Sequence, residues 1–117
     1  MPVKYTPRRA GKRWLEDAPE YILDVFDDKG DGGRYTVLFC GELLGAFVKE
    51  ANRTYSNTWI NYLDMSDAPT HPQGVSMWGE MPSYGAAQYR YRMGHRRIRW
   101  LDLPEHIRKH VIARATA

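Results

Sequence analysis

The densest chemistry in the chain lies in Gln88-Tyr-Arg-Tyr-Arg-Met-Gly-His-Arg-Arg-Ile-Arg-Trp, where five arginines fall between Arg90 and Arg99. Guanidinium forks fit phosphate oxygens, and aromatic rings between them offer faces on which bases can stack. The expected phosphate-binding set is Arg90, Arg92, Arg97 and Arg99 with Tyr89 and Tyr91. Read as a strand, Gly94–Leu101 puts Arg97 and Arg99 on a solvent face and turns Ile98 and Trp100 inward. The competing reading pairs these arginines with acidic residues elsewhere and lays their stems over apolar surface. No helix-turn-helix, RNP or zinc-finger pattern accompanies the run.

A second stretch, Tyr62 to Tyr84, holds three of the seven prolines and two of the ten glycines. Tyr62, Asp64, His71, Gln73, Trp78 and Tyr84 are its candidate partner-binding residues, on a long ordered loop. Asp64, Ser66, Asp67, His71 and Glu80 could in principle build an acid-base or nucleophilic site. Ser66 has no elbow motif, however, and Ser66, Asp67 and Pro69 read as turn residues. His71 precedes Pro72 and is biased to an extended conformation. The expectation is a non-catalytic protein, with a small hydrolase as the lesser alternative.

Other metal and nucleophile signals are weak. His106 and His110 stand four apart on a helix, a spacing that lets two imidazoles share a metal, but the His-Glu-x-x-His order and a third ligand are missing. Asp27, Asp31 and Gly32 sit at calcium-loop offsets, whereas Lys29 and Leu38 occupy positions that need oxygen ligands, and the flanks read as strands. Cys40 is the only cysteine, which excludes an intrachain disulfide, and it ends a core strand as a small hydrophobe. No metal and no cofactor is expected.

These residues need a scaffold, and 117 residues with 43% hydrophobic content suit one folded domain. The net charge of +3 is segregated. Residues 1–13 carry five basic groups and no acid; residues 14–89 carry four basic and twelve acidic groups; residues 90–117 carry eight basic and two acidic groups. This suits either a basic face for polyanions or two basic ends folded back on an acidic middle. No run of 18 apolar residues and no apolar leader is visible, so the expected setting is cytoplasmic with no membrane partner.

Tyr21–Asp27 and Arg34–Cys40 are rich in β-branched and aromatic residues, and Asp28-Lys-Gly-Asp-Gly-Gly between them supplies a hairpin turn. Gly41–Lys49 is ambiguous between strand and helix, Arg53–Asn57 is turn-like, and Trp59–Met65 reads as a strand. In Asp102-Leu-Pro-Glu, Asp102 is positioned to cap a helix, with Pro104 in its first turn and Glu105 completing a capping box. Leu103, Ile107 and Val111, with Ala115, then form one apolar stripe. Residues 1–20 read as a basic arm with a short helical turn at Trp14–Ala18 stopped by Pro19, and residues 21–117 as one domain. The predicted fold is α+β: an antiparallel sheet of four or five strands, the long loop, and a C-terminal helix on one face.

Arg34-Tyr-Thr-Val, Tyr62-Leu-Asp-Met-Ser, Ala-Pro-Thr-His-Pro-Gln-Gly, Gly79-Glu, Gly94-His-Arg-Arg-Ile and Leu101-Asp-Leu-Pro-Glu together resemble small uncharacterised proteins encoded by tailed phages, prophages and plasmids. The resemblance spans roughly residues 21–112 and implies a compact accessory protein of the infected or host bacterium, with no activity to carry over. Two functional expectations follow. One is binding of a phosphate-bearing partner, nucleic acid or nucleotide, through the arginine-aromatic surface beside the 62–84 loop. The other is a protein-interaction module acting on a host or phage protein.

Overall fold

The computed structural model describes residues 10–28, 33–39, 59–82 and 96–116, except the side chains of 59, 60 and 80–82. Five strands run β1 (Ile22–Asp27), β2 (Tyr35–Phe39), β3 (Trp59–Met65), β4 (Ser76–Pro82) and β5 (Arg96–Arg97), followed by a 3-10 turn at Trp100–Asp102 and a helix at Glu105–Thr116. They form one antiparallel sheet in the order β4-β3-β2-β1-β5. The expected α+β architecture of sheet and C-terminal helix is present. Segments 40–58 and 83–95, the hairpin turn at 29–32 and residues 1–9 lie outside the description. With them go the expectations for Gly41–Lys49, Arg53–Asn57 and Cys40.

The β1–β2 hairpin forms where its composition places it, with Val25 opposite Val37 and Phe26 opposite Thr36. A register irregularity between Ile22 and Asp24 lets consecutive residues at the start of β1 be buried. Strand alternation sends Val25, Tyr35, Val37, Phe39, Leu63 and Met65 to the face that meets the helix. There Leu103, Ile107, Val111 and Ala115 are all at most 1% exposed, so the four-residue stripe is the docking face. Phe26 and Leu38 point to the opposite face and are also fully buried, so the central strands are covered on both sides.

Three expectations need correction. The stretch 62–84 is not one long loop. Its ends belong to β3 and β4, leaving a connection of 66–75 in which Ser66 N donates to Val75 O (3.0 Å) and Val75 N to Ser66 Oγ (2.9 Å). Second, the strand expected over 94–101 is two residues long among the described residues, extended only by Ile98 N to Val25 O (3.1 Å). Ile98 and Trp100 nevertheless turn inward, at 7% and 3% exposure. Third, Asp102 does not cap the helix. Leu103 precedes Pro104 and stays extended (φ −67°, ψ 137°), so the helix begins after it. The Pro104 carbonyl instead accepts Ile107 N and Arg108 N, both at 3.0 Å.

Residues 10–20 lie on the sheet. Trp14 N and Leu15 N both reach Gly11 O (2.8 and 3.2 Å), Ala18 N reaches Leu15 O (3.0 Å) within the expected turn, and Leu15 is buried in the core. Ala10 N donates to Leu23 O at 2.9 Å.

Two substitutions test this packing by urea denaturation. Ile107→Ala is expected to cost about 2–5 kcal/mol, because it empties a fully buried position. Gly74→Ala should lower the midpoint because its Cβ would meet the backbone carbonyl of Ala68, whereas Gly11→Ala enters open space and should not.

Candidate polyanion interface

The basic residues separate into those already neutralised and those still available. Arg97 belongs to the first group. Its Nη2 donates to Asp24 Oδ2 at 3.0 Å, and Asp24 is wholly buried while the Arg97 side chain is 28% exposed. Asp24 Oδ1 also accepts Val25 N at 2.9 Å. Arg99 is exposed but forked onto Asp102, with Nη2 to Oδ1 at 2.9 Å and its own amide donating to Oδ2 at 2.9 Å. The Arg99 guanidinium and amide hold the Asp102 carboxyl below the usual carboxylate range, with Arg96 adding to the effect. The expected solvent face shared by Arg97 and Arg99 is therefore replaced by two carboxylate pairs. Arg90, Arg92, Tyr89 and Tyr91 lie outside the described residues.

What the sequence reading missed is Trp14. Its carbonyl accepts Trp100 N at 2.8 Å, which fastens the N-terminal segment beside β5. The guanidinium carbons of Arg13 and Arg97 lie 5.4 and 5.5 Å from the Trp14 ring centroid, within cation–π range. Lys12, Arg13 and Arg96 are exposed, and none of them makes an ion pair among the described residues. Two basic segments from opposite ends of the chain thus meet around one half-buried indole. The signal was present as Lys12-Arg13-Trp14, the same basic-aromatic wording as the later arginine run.

The expected partner-binding residues do not share one surface. Tyr62 lies opposite Gly79, and its ring occupies the space a side chain there would take. Asp64 accepts from Thr36 Oγ1 at 3.4 Å, and Asp28 also takes that hydroxyl. Both Tyr62 and Asp64 face away from the helix, whereas Trp78, opposite Leu63, packs on the helix side against Phe39 (5.1 Å between centroids). His71 and Gln73 sit exposed in the connection, where His71 Nδ1 accepts Gln73 N at 3.1 Å. Tyr84 lies outside the described residues. Asp64, Ser66 and His71 each hydrogen-bond a different partner: Thr36, the Val75 amide and the Gln73 amide.

The two helix histidines tie the helix to the 66–75 connection and to the start of β4. His106 Nε2 donates to the Asp67 carbonyl at 2.7 Å, and His110 Nε2 lies 2.6 Å from Ser76 Oγ. Arg34 holds the same connection from the other side, through Asp67 (3.0 Å) and Asp27 (3.6 Å). Burial, with Arg114 nearby, pushes the His110 imidazole below its ordinary value.

Arg97→Ala is expected to cost about 3 kcal/mol in chemical denaturation, since it removes a cation paired with the buried Asp24 carboxylate. Arg99→Ala should leave the midpoint nearly unchanged, its pair being exposed. His110, with its folded value depressed, stays neutral where the unfolded chain already takes a proton. Stability should therefore be full above about pH 6.5 and fall as the pH drops below it. Melting curves of wild type and His110→Gln from neutral to mildly acid pH check this, and the variant should show the shallower loss.

No helix among the described residues is long and apolar enough to cross a membrane. Comparison with protein-family models, with curated proteins and with solved structures found no match, so the reading of this surface rests on its own geometry.

Proposed function

We propose that the protein is a non-catalytic cytoplasmic accessory protein that binds a phosphate-bearing partner, nucleic acid above all, at the surface around Trp14. One observation carries this reading: Arg13 and Arg97, far apart in sequence, both lie over the Trp14 ring, and their exposed sequence neighbours Lys12 and Arg96, like Arg13, make no ion pair among the described residues, while Arg97 is already compensated by Asp24. Cations that face solvent unpaired attract a polyanion by releasing its condensed counterions, and they need no base-specific geometry to do so. Arg99 and its Asp102 border the surface and orient one guanidinium beside it.

A protein partner is the second reading, favoured by Met77, which stands 64% exposed on the outer strand β4. It requires capture of a partner that Met77→Lys abolishes, with no binding of oligonucleotides.

Fluorescence anisotropy with labelled single-stranded and duplex oligonucleotides tests the first reading. Affinity should fall steeply between about 50 and 200 mM salt, with the slope of log K against log salt reduced by about one unit for each of Lys12→Gln, Arg13→Gln and Arg96→Gln. Absence of binding at low salt, or slopes untouched by all three changes, would overturn it.

A further inference from the structure

The two carboxylate pairs of the arginine run differ in kind. Arg97 reaches the wholly buried Asp24 of the neighbouring strand. Arg99 and Asp102 stand three residues apart, with side chains 53% and 39% exposed. Arg99 precedes the 3-10 turn Trp100–Asp102, and its carbonyl accepts Asp102 N at 2.9 Å. In such a turn the side chains at i and i+3 eclipse, so these two charged groups meet by local geometry. Asp102 Oδ2 accepts the Arg99 amide at 2.9 Å and Nε at 3.2 Å, while Oδ1 accepts Nη2 at 2.9 Å and Nε at 3.3 Å. The edge formed by Nε and Nη2 is a fork with which an arginine grips a phosphate, and here a carboxylate fills it.

The pair lies within reach of the basic surface. Trp100 N, next to Arg99 in the chain, donates to Trp14 O and so sets the pair beside the Lys12–Trp14 segment. Asp102 holds the Arg99 guanidinium above its ordinary value, and Glu16 of that N-terminal segment adds to the effect. Arg99 and, less strongly, Arg96 hold the Asp102 carboxyl down. Both shifts keep the pair fully charged around neutral pH, so an anion and not a proton opens it. An exposed ion pair is weakly held against water and salt, whereas a buried one is not readily given up. Arg99 is therefore releasable in a way that Arg97 is not.

We propose that Asp102 is an autoinhibitory carboxylate, which occupies the phosphate fork of Arg99 and withholds that guanidinium from the polyanion. On the reading of the Trp14 surface as a polyanion site, on which this inference rests, Lys12, Arg13 and Arg96 supply the basal attraction. Arg99 stands beside them, already oriented but neutralised by its own turn. Asp102 thus sets how many phosphates the surface engages, and with that number its affinity and its sensitivity to salt.

The experiment is a double-mutant cycle of Asp102→Asn and Arg99→Gln in the full chain, read by anisotropy with the same labelled single-stranded and duplex oligonucleotides. Asparagine keeps an oxygen for the Arg99 amide and loses only the charge, so melting curves of the four proteins should nearly coincide. Asp102→Asn should bind more tightly than wild type and steepen the slope of log K against log salt by about one unit. Its advantage should accordingly shrink about threefold between about 50 and 200 mM salt. In the Arg99→Gln background the same change should give a much smaller gain and leave the slope nearly unaltered. Equal gains in the two backgrounds would make Asp102 one more negative charge near the surface and overturn the proposal. An Asp102→Asn protein that binds no better than wild type would overturn it too. If neither wild type nor Asp102→Asn binds at low salt, the polyanion reading falls together with this one. Wild-type binding that Lys12→Gln, Arg13→Gln and Arg96→Gln weaken, combined with equal gains in the cycle, removes the autoinhibition alone.

Discussion

A carboxylate with no access to water must be met by a cation and by hydrogen-bond donors, and Asp24 imposes that condition on the whole chain. It stands on the central hairpin, and the guanidinium that answers it comes from Arg97, far along the sequence. Among the described residues β5 pairs with β1 over two residues, continued by one bond from Ile98 to Val25. The ion pair adds the missing specificity. Directly after Arg97, Ile98 and Trp100 are buried in the core, the 3-10 turn follows, and Leu103 begins the stripe that closes the helix over the sheet. The Trp14 segment then finds both its backbone partner and its second cation.

Local composition was enough to read the elements whose side chains carry their own instructions. The β1–β2 hairpin, β3 and the helix stripe at 103, 107, 111 and 115 are visible as β-branched runs and four-residue spacing. β4 was not, because Gly79 and Pro82 are poor strand formers and the surrounding prolines mark turns. Its pairing with β3 is a tertiary effect, helped by the Tyr62 ring filling the space over Gly79. The helix start was misplaced by two residues for a local reason: Arg99 competes for the carboxylate of Asp102, and Pro104 keeps Leu103 extended.

The candidate site divides along the same line. Arginine-aromatic wording pointed to a basic surface, but nothing in one sequence says which arginine faces a buried aspartate. Charge totals were equally silent on whether the basic ends fold onto the acidic middle. The structure gives both outcomes, one arginine at a time: Arg97 goes to Asp24, whereas Arg13 and Arg96 make no ion pair among the described residues. The aromatic that joins the two ends, Trp14, was read only as part of a turn.

The contact between Trp14 and Trp100 also has a bearing on the order in which the molecule is made. These residues lie far apart in the sequence, so all of the intervening chain must be made before the Trp100 amide can reach the Trp14 carbonyl. Contacts of such sequence separation form late, after local hairpins have reduced the cost of closing the loop. A nascent or C-terminally truncated chain would carry the Lys12-Arg13 charge yet lack the β5 half of the surface. The meeting of Arg13 and Arg97 at Trp14 thus requires residue 97 to have been made and folded back, and no shorter N-terminal fragment can present it.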